Sequence, residues 1–101
     1  MNSIGEKIRE LRESRALPLR IVAAYLDIDQ AILSKIERGH RRANREQIVK
    51  LAAFFSVDEE ELLVAWLSEK VLYEVADENV ALQVLKIAEE RIRYNIKIRT
   101  D

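Results

Sequence analysis

The sequence predicts an all-α protein, and three observations carry that reading. Apolar residues recur at i, i+3, i+4 and i+7 in several short stretches, the period of a helix with one buried face. Ser3 with Glu6, Asn44 with Gln47, and Asp58 with Glu61 each place a capping residue three positions before Glu or Gln, a helix-start signature. Two glycines and one proline in 101 residues supply too few turn formers for a β-sandwich.

The elements follow in order. Ser3 and Glu6 open a first helix, and Ile4, Ile8 and Leu11 line one face of it as far as Arg15. Pro18 suits the first turn of a second helix, whose Leu19, Val22, Ala23 and Leu26 keep the helical spacing. Asp27-Ile28-Asp29 forms the break. Asp29 is a natural N-cap for a third helix from Gln30 to Arg38, and Gly39 stands where a chain commonly leaves a helix in the left-handed conformation. Asn44 opens a fourth helix bearing Ile48, Leu51, Ala52 and Phe55. Asp58 opens a longer fifth through Leu62, Leu63, Trp66, Leu67 and Val71. Asp77 or Asn79 is expected to cap a last helix bearing Ala81, Val84, Leu85, Ala88 and Ile92. Its end is ambiguous. Ile92, Tyr94, Ile96 and Ile98 alternate with Arg93, Asn95, Lys97 and Arg99, so residues 92–98 read either as a fraying helix end or as a strand that pairs with a second copy.

Composition excludes several classes of function. With 49% apolar and 35% charged residues the chain suits one globular domain rather than a disordered one. No cysteine means no disulfide framework, no thiolate nucleophile and no zinc–thiolate site. A single histidine, His40, cannot build a multi-histidine metal site, and neither metal nor cofactor is expected. Nothing offers a nucleophile–base pair or a glycine-rich phosphate loop, so no enzyme is expected. No apolar run approaches a membrane span or a secretory leader, which implies a cytoplasmic protein with no membrane partner. A separate ligand-sensing domain is not expected at this length.

The net charge of −1 hides a segregation. Residues 1–50 hold 11 Lys/Arg against 7 Asp/Glu, whereas residues 51–101 hold 6 against 11. Lys35, Arg38, Arg41, Arg42 and Arg45 crowd one stretch opposed only by Glu37, while residues 58–78 carry eight acids and one base, Lys70. Such asymmetry suggests a basic face for a polyanion, although two solvated faces would give the same count.

Two short helices joined by a tight turn, the second with polar residues outward, form the pattern of a helix-turn-helix. Five stretches stand in order: Ile8-Arg9-Glu10-Leu11-Arg12, Val22-Ala23-Ala24-Tyr25-Leu26, Ile32-Leu33-Ser34-Lys35-Ile36-Glu37-Arg38-Gly39, Ile48-Val49-Lys50-Leu51-Ala52 and Val57-Asp58-Glu59-Glu60-Glu61-Leu62-Leu63. Through them residues 4–63 resemble the helix-turn-helix family of phage repressors and Cro proteins, also called the XRE family. The resemblance implies a five-helix repressor-like domain over residues 1–68, followed by a helical dimerisation extension over residues 69–101. It also implies double-stranded DNA as partner, with the third helix in the major groove.

Side-chain chemistry and the family's docking then suggest roles. Ala23 lies where the second helix meets the third, Ile28 fills the core beneath the turn, and Leu33 and Ile36 anchor the third helix from below. Gln30 can bond adenine, the Ala31 methyl can meet a thymine methyl, Lys35 can reach guanine, and Ser34 can serve a base edge or a phosphate. Arg20, Arg38, Arg41, Arg42, Asn44 and Arg45 are read as phosphate contacts, which position the protein without reading sequence. Arg12 and Glu37 resemble a family ion pair joining the first helix to the third. The chain departs from the family at Pro18 and Leu19, where a capping Ser/Thr and a phosphate-binding Gln are usual, so Arg20 is the substitute. Ile21 replaces a common acid and Ala43 a common proline.

The apolar content beyond residue 62 exceeds what a minimal domain of this kind needs. A homodimer on paired half-sites is expected, with Trp66, Leu67, Val84, Leu85, Ala88 and Ile92 at its interface. Folding of the last helix back onto its own core is the competing arrangement. The alternative function is an antitoxin- or adaptor-type protein, whose C-terminal helices hold a protein partner while DNA binding is secondary.

Overall fold

Helix starts in this chain are held by side chains that take an otherwise unpaired backbone N–H. The computed structural model describes residues 3–100 and contains α1 (Ile4–Ser14), α2 (Leu19–Leu26), α3 (Gln30–Glu37), α4 (Arg45–Phe55), α5 (Glu59–Val75) and α6 (Ala81–Thr100). Ser3 Oγ accepts from the Glu6 N–H at 3.1 Å, Asp29 Oδ1 from Ala31 at 3.0 Å, and Asp58 Oδ1 from Glu60 at 2.9 Å. At α4 the box is reciprocal: Asn44 Oδ1 accepts from the Gln47 N–H at 2.8 Å, and Gln47 Oε1 from the Asn44 N–H at 2.9 Å. Such caps contribute about 1 kcal/mol each. Pro18, in the cap position of α2, makes no side-chain bond.

The first four helices end in one way. The N–H groups of Leu17, Ile28, His40 and Val57 bond back to the carbonyls of Arg12, Ala23, Lys35 and Ala52, with a second bond between nearer residues nested inside each. The residue before each of them, Ala16, Asp27, Gly39 and Ser56, has φ of 52°, 56°, 79° and 54°. Only one of these left-handed residues is glycine. A side chain there costs about 1–2 kcal/mol, and the residue that follows offsets it. Leu17, Ile28 and Val57 each pack against the core, the apolar contact that commonly closes this motif. His40 is exposed, and its neighbour is the glycine.

The chain divides into two units, Met1–Glu69 and Lys70–Asp101. The core of the first consists of Ile8, Val22, Ala23, Leu26, Leu33, Ile36, Ala43, Ile48, Leu51, Ala52, Phe55, Leu62 and Trp66. Burying each of its larger members contributes about 1.5–3 kcal/mol. α1 ends one residue before the expected Arg15, and α3 ends at Glu37 with Arg38 as its C-cap.

The second unit decides one open reading and corrects one expectation. Residues 92–98 lie within α6, and no strand occurs among the described residues. A helix bonds its own backbone, whereas a lone strand would leave a row of N–H and C=O groups unpaired. The helix begins at Ala81, with the Val84 N–H bonded to the Val80 carbonyl at 2.9 Å. Val80 therefore stands directly before it, in place of the expected Asp77 or Asn79.

Candidate nucleic-acid interface

α2, the three-residue break Asp27-Ile28-Asp29 and α3 form the helix-turn-helix unit. Its inner side is apolar: Val22, Ala23 and Leu26 of α2 and Leu33 and Ile36 of α3 are buried, and Ile28 is half-buried beneath the turn. Ala23 keeps only 2% of its surface, so a longer side chain there would force the two helices apart. The outer side of α3 is then the only one left for Gln30, Ala31 and Lys35, all exposed, and for Ser34, which is half-buried. The Ser34 carbonyl also accepts from Arg38 Nε at 3.3 Å.

Two contacts fix the far end of α3 against α1. Glu37 retains 6% of its surface and takes a two-pronged bond from Arg12, Nε at 2.8 Å and Nη2 at 2.9 Å. The remaining Arg12 amine donates to the Leu17 carbonyl at 2.9 Å, which ties down the α1–α2 connection. Hydrogen bonding to Glu37 holds the Arg12 guanidinium above its ordinary pKa, against the opposing effect of burial. The second contact is Gly5. A Cβ built there would lie 2.4 Å from the Ile36 carbonyl oxygen and 2.6 Å from that of Glu37. Sequence reasoning missed this role, although a signal existed: Gly5 sits inside a helix, where glycine costs about 1 kcal/mol relative to alanine.

The Arg12–Glu37 pair also shapes the field. Glu37 is the one acid between Lys35 and Arg45, and it is buried and spent on Arg12. Lys35, Arg38, Arg41, Arg42 and Arg45 are all exposed, so the surface around the end of α3 carries five bases. Arg20 is exposed on α2. Asn44 is exposed, but its Oδ1 is committed to the capping box, which also engages the Gln47 and Asn44 N–H groups. The N–H groups of Arg45 and Glu46 are the first-turn donors outside the box.

Trp66 does not lie on an open face. It is 5% exposed, and its Nε1 donates to the Ala43 carbonyl at 2.8 Å. Trp66 thus lies in the core, whereas Leu67, Val84, Leu85, Ala88 and Ile92 are all exposed. The indole instead pins the loop that carries Arg41 and Arg42, at the position where the family usually has a proline. Nothing in the sequence marks that contact, which joins residues 23 positions apart. Glu69, about one turn further along α5, acts similarly, its Oε2 accepting the Ile4 N–H at 3.0 Å.

This arrangement coincides with a known family. Residues 8–62 match the family model described as helix-turn-helix. The chain belongs to the XRE-type helix-turn-helix family. It is 39% identical over 66 residues to the uncharacterized HTH-type transcriptional regulator RghRB of Bacillus subtilis, covering 64% of this chain and 48% of that one. It is 38% identical over 53 residues to the HTH-type transcriptional repressor RghR of the same organism, covering 52% and 39%. The chain thus spans about half or less of the length of these curated relatives. Among solved structures it resembles the restriction-modification controller protein C.AhdI from Aeromonas hydrophila, with a TM-score of 0.54 and 30% identity over 58% of this chain and 89% of that one. Among the described residues no helix is long and apolar enough to cross a membrane, and no group of three or more His, Asp or Glu side chains could hold a metal ion.

Proposed function

We propose that this protein is a sequence-specific DNA-binding transcriptional regulator that binds a two-fold operator as a homodimer, with α3 in the major groove. The observation that carries this is the division of α3. Its inner residues are locked by the core, by Gly5 and by Arg12, while Gln30, Ala31, Ser34 and Lys35 form an outward polar stripe beside exposed bases. In this reading Gln30 and Lys35 bond base edges, Ala31 meets a thymine methyl, and Ser34 serves either a base or a phosphate. Arg20, Arg38, Arg41, Arg42, Asn44 and Arg45 hold phosphates, helped by the open N–H groups at the start of α4. Residues 1–68 carry DNA binding, and residues 69–101 carry dimerisation. The names of the curated relatives support the regulatory role.

Selection from a random duplex pool, with the salt dependence recorded, tests the proposal. An inverted repeat with half-site centres about 10 bp apart, or a multiple of one turn, is the expected result. Unselective binding that falls steeply with salt would overturn sequence recognition and leave only the basic surface. The antitoxin- or adaptor-type reading, with a protein partner on the C-terminal helices, draws on the exposed apolar side chains of α6. Removing residues 76–98 separates the two. Operator affinity is lost with the dimer in the first case, whereas in the second DNA binding survives and partner capture fails.

A further inference from the structure

α6 is twenty residues long, and every residue from Leu82 to Arg99 is exposed. At the helical repeat of 100° per residue, Ala81, Leu85, Ala88, Ile92 and Ile96 fall on one stripe. Val84 flanks it on one side and Glu89 on the other, while Lys86, Glu90, Arg93 and Lys97 lie away from it. Leu82, Ile87, Tyr94 and Ile98 are the apolar residues outside the stripe, and Leu82 is 83% exposed. Charge is also sorted along the axis. Residues 74–90 hold Glu74, Asp77, Glu78, Glu89 and Glu90 with Lys86 as the single base, whereas residues 91–99 hold Arg91, Arg93, Lys97 and Arg99 and no acid.

We propose that α6 pairs with α6 of a second copy in antiparallel orientation, the two helices crossing at Ala88. The proposal rests on the homodimer reading and adds its interface and direction. Charge selects the direction. Parallel pairing sets Arg91, Arg93, Lys97 and Arg99 of one helix against the same four bases of the other, whereas antiparallel pairing turns the basic end of each helix toward the acidic approach of its partner. Arg93 already pairs with Glu89 of its own helix at 3.0 Å, so the discrimination comes chiefly from Arg91, Lys97 and Arg99. Antiparallel register with the crossing at Ala88 puts Ala81 opposite Ile96, Leu85 opposite Ile92, and Ala88 opposite its own copy. Such a pairing is self-complementary, as a two-fold interface requires.

The absence of native cysteine makes the test direct. Three full-length variants, Ala81→Cys, Ala88→Cys and Ile96→Cys, are oxidised mildly, and the disulfide-linked species are resolved by mass. Sedimentation of the unmodified chain gives its oligomeric state, and circular dichroism confirms that each variant keeps its helix. The expected result is a dimer in which Ala88→Cys links to itself. Ala81→Cys and Ile96→Cys link to each other when mixed, but neither links to itself. Self-linking of the Ala81 and Ile96 variants, or a statistical mixture of all products, overturns the antiparallel pairing. A dimer whose Ala88→Cys variant does not link overturns the α6 interface and leaves the homodimer reading standing. A monomer overturns both.

Discussion

α3 has eight residues and α6 has twenty, yet the shorter helix is the one whose existence this chain explains by itself. Eight residues are too few for a stable isolated helix in water. α3 persists because Leu33 and Ile36 enter the core, Glu37 is gripped by Arg12, and Gly5 lets the α1 backbone reach its last carbonyls. α6 has the length to hold its own backbone bonds, a pair between Arg93 and Glu89, and a basic last turn that suits the helix dipole. Its apolar residues from Leu82 onward are nevertheless all exposed. Burial within the chain sorts residues into those that anchor and those that are presented. In the proposed reading, the exposed apolar stripe of α6 is covered by a second copy.

Removing the grip on α3 is the strongest way to break that contrast. Arg12→Ala leaves Glu37 buried without a partner and is expected to lower the unfolding free energy by about 3–5 kcal/mol. Replacing both residues by leucine recovers most of the loss. Urea denaturation measures both, and a small effect of the single variant would show that the pair is not the anchor. Because the Arg12 pKa is raised, its contribution is complete below the ordinary arginine range and fades only as pH climbs through the higher folded value. No pH dependence from Arg12 is therefore expected near neutrality.

Gly5→Ala is next. Its methyl group would meet backbone, not a movable side chain, and a cost of about 1–3 kcal/mol is expected. In the proposed reading Lys35→Ala costs about 1–3 kcal/mol at the cognate site and relaxes preference at one base position. Arg42→Ala instead weakens all sequences alike and reduces the salt slope by about one. Binding titrations against selected and scrambled duplexes check this pair, and uniform losses from both would refute α3 as the reader. Ala16→Gly relieves a left-handed alanine and is expected to stabilise by up to about 1 kcal/mol. The smallest effect belongs to α6: Leu82→Gln is expected to leave the thermal unfolding of the first unit within about 0.5 kcal/mol of the parent. A larger shift would mean that Leu82 supports that fold.

The sequence by itself determined the starts of α1, α3, α4 and α5, the order of the helices and the two faces of α3. Capping side chains act across two or three residues, and the helical period is legible within one or two turns. Gly39 was legible as a left-handed stop for the same reason. Ala16, Asp27 and Ser56 were not, because what holds them there is the packing of Leu17, Ile28 and Val57 into a core assembled from distant residues. The tertiary structure alone decided that Gly5 is a contact point, that Trp66 pins Ala43, and that Glu69 meets Ile4 across 65 positions. It also decided residues 92–98. A period of two favours a strand only where a neighbouring strand can take the backbone bonds. With none among the described residues, the helix, which satisfies its own, prevails.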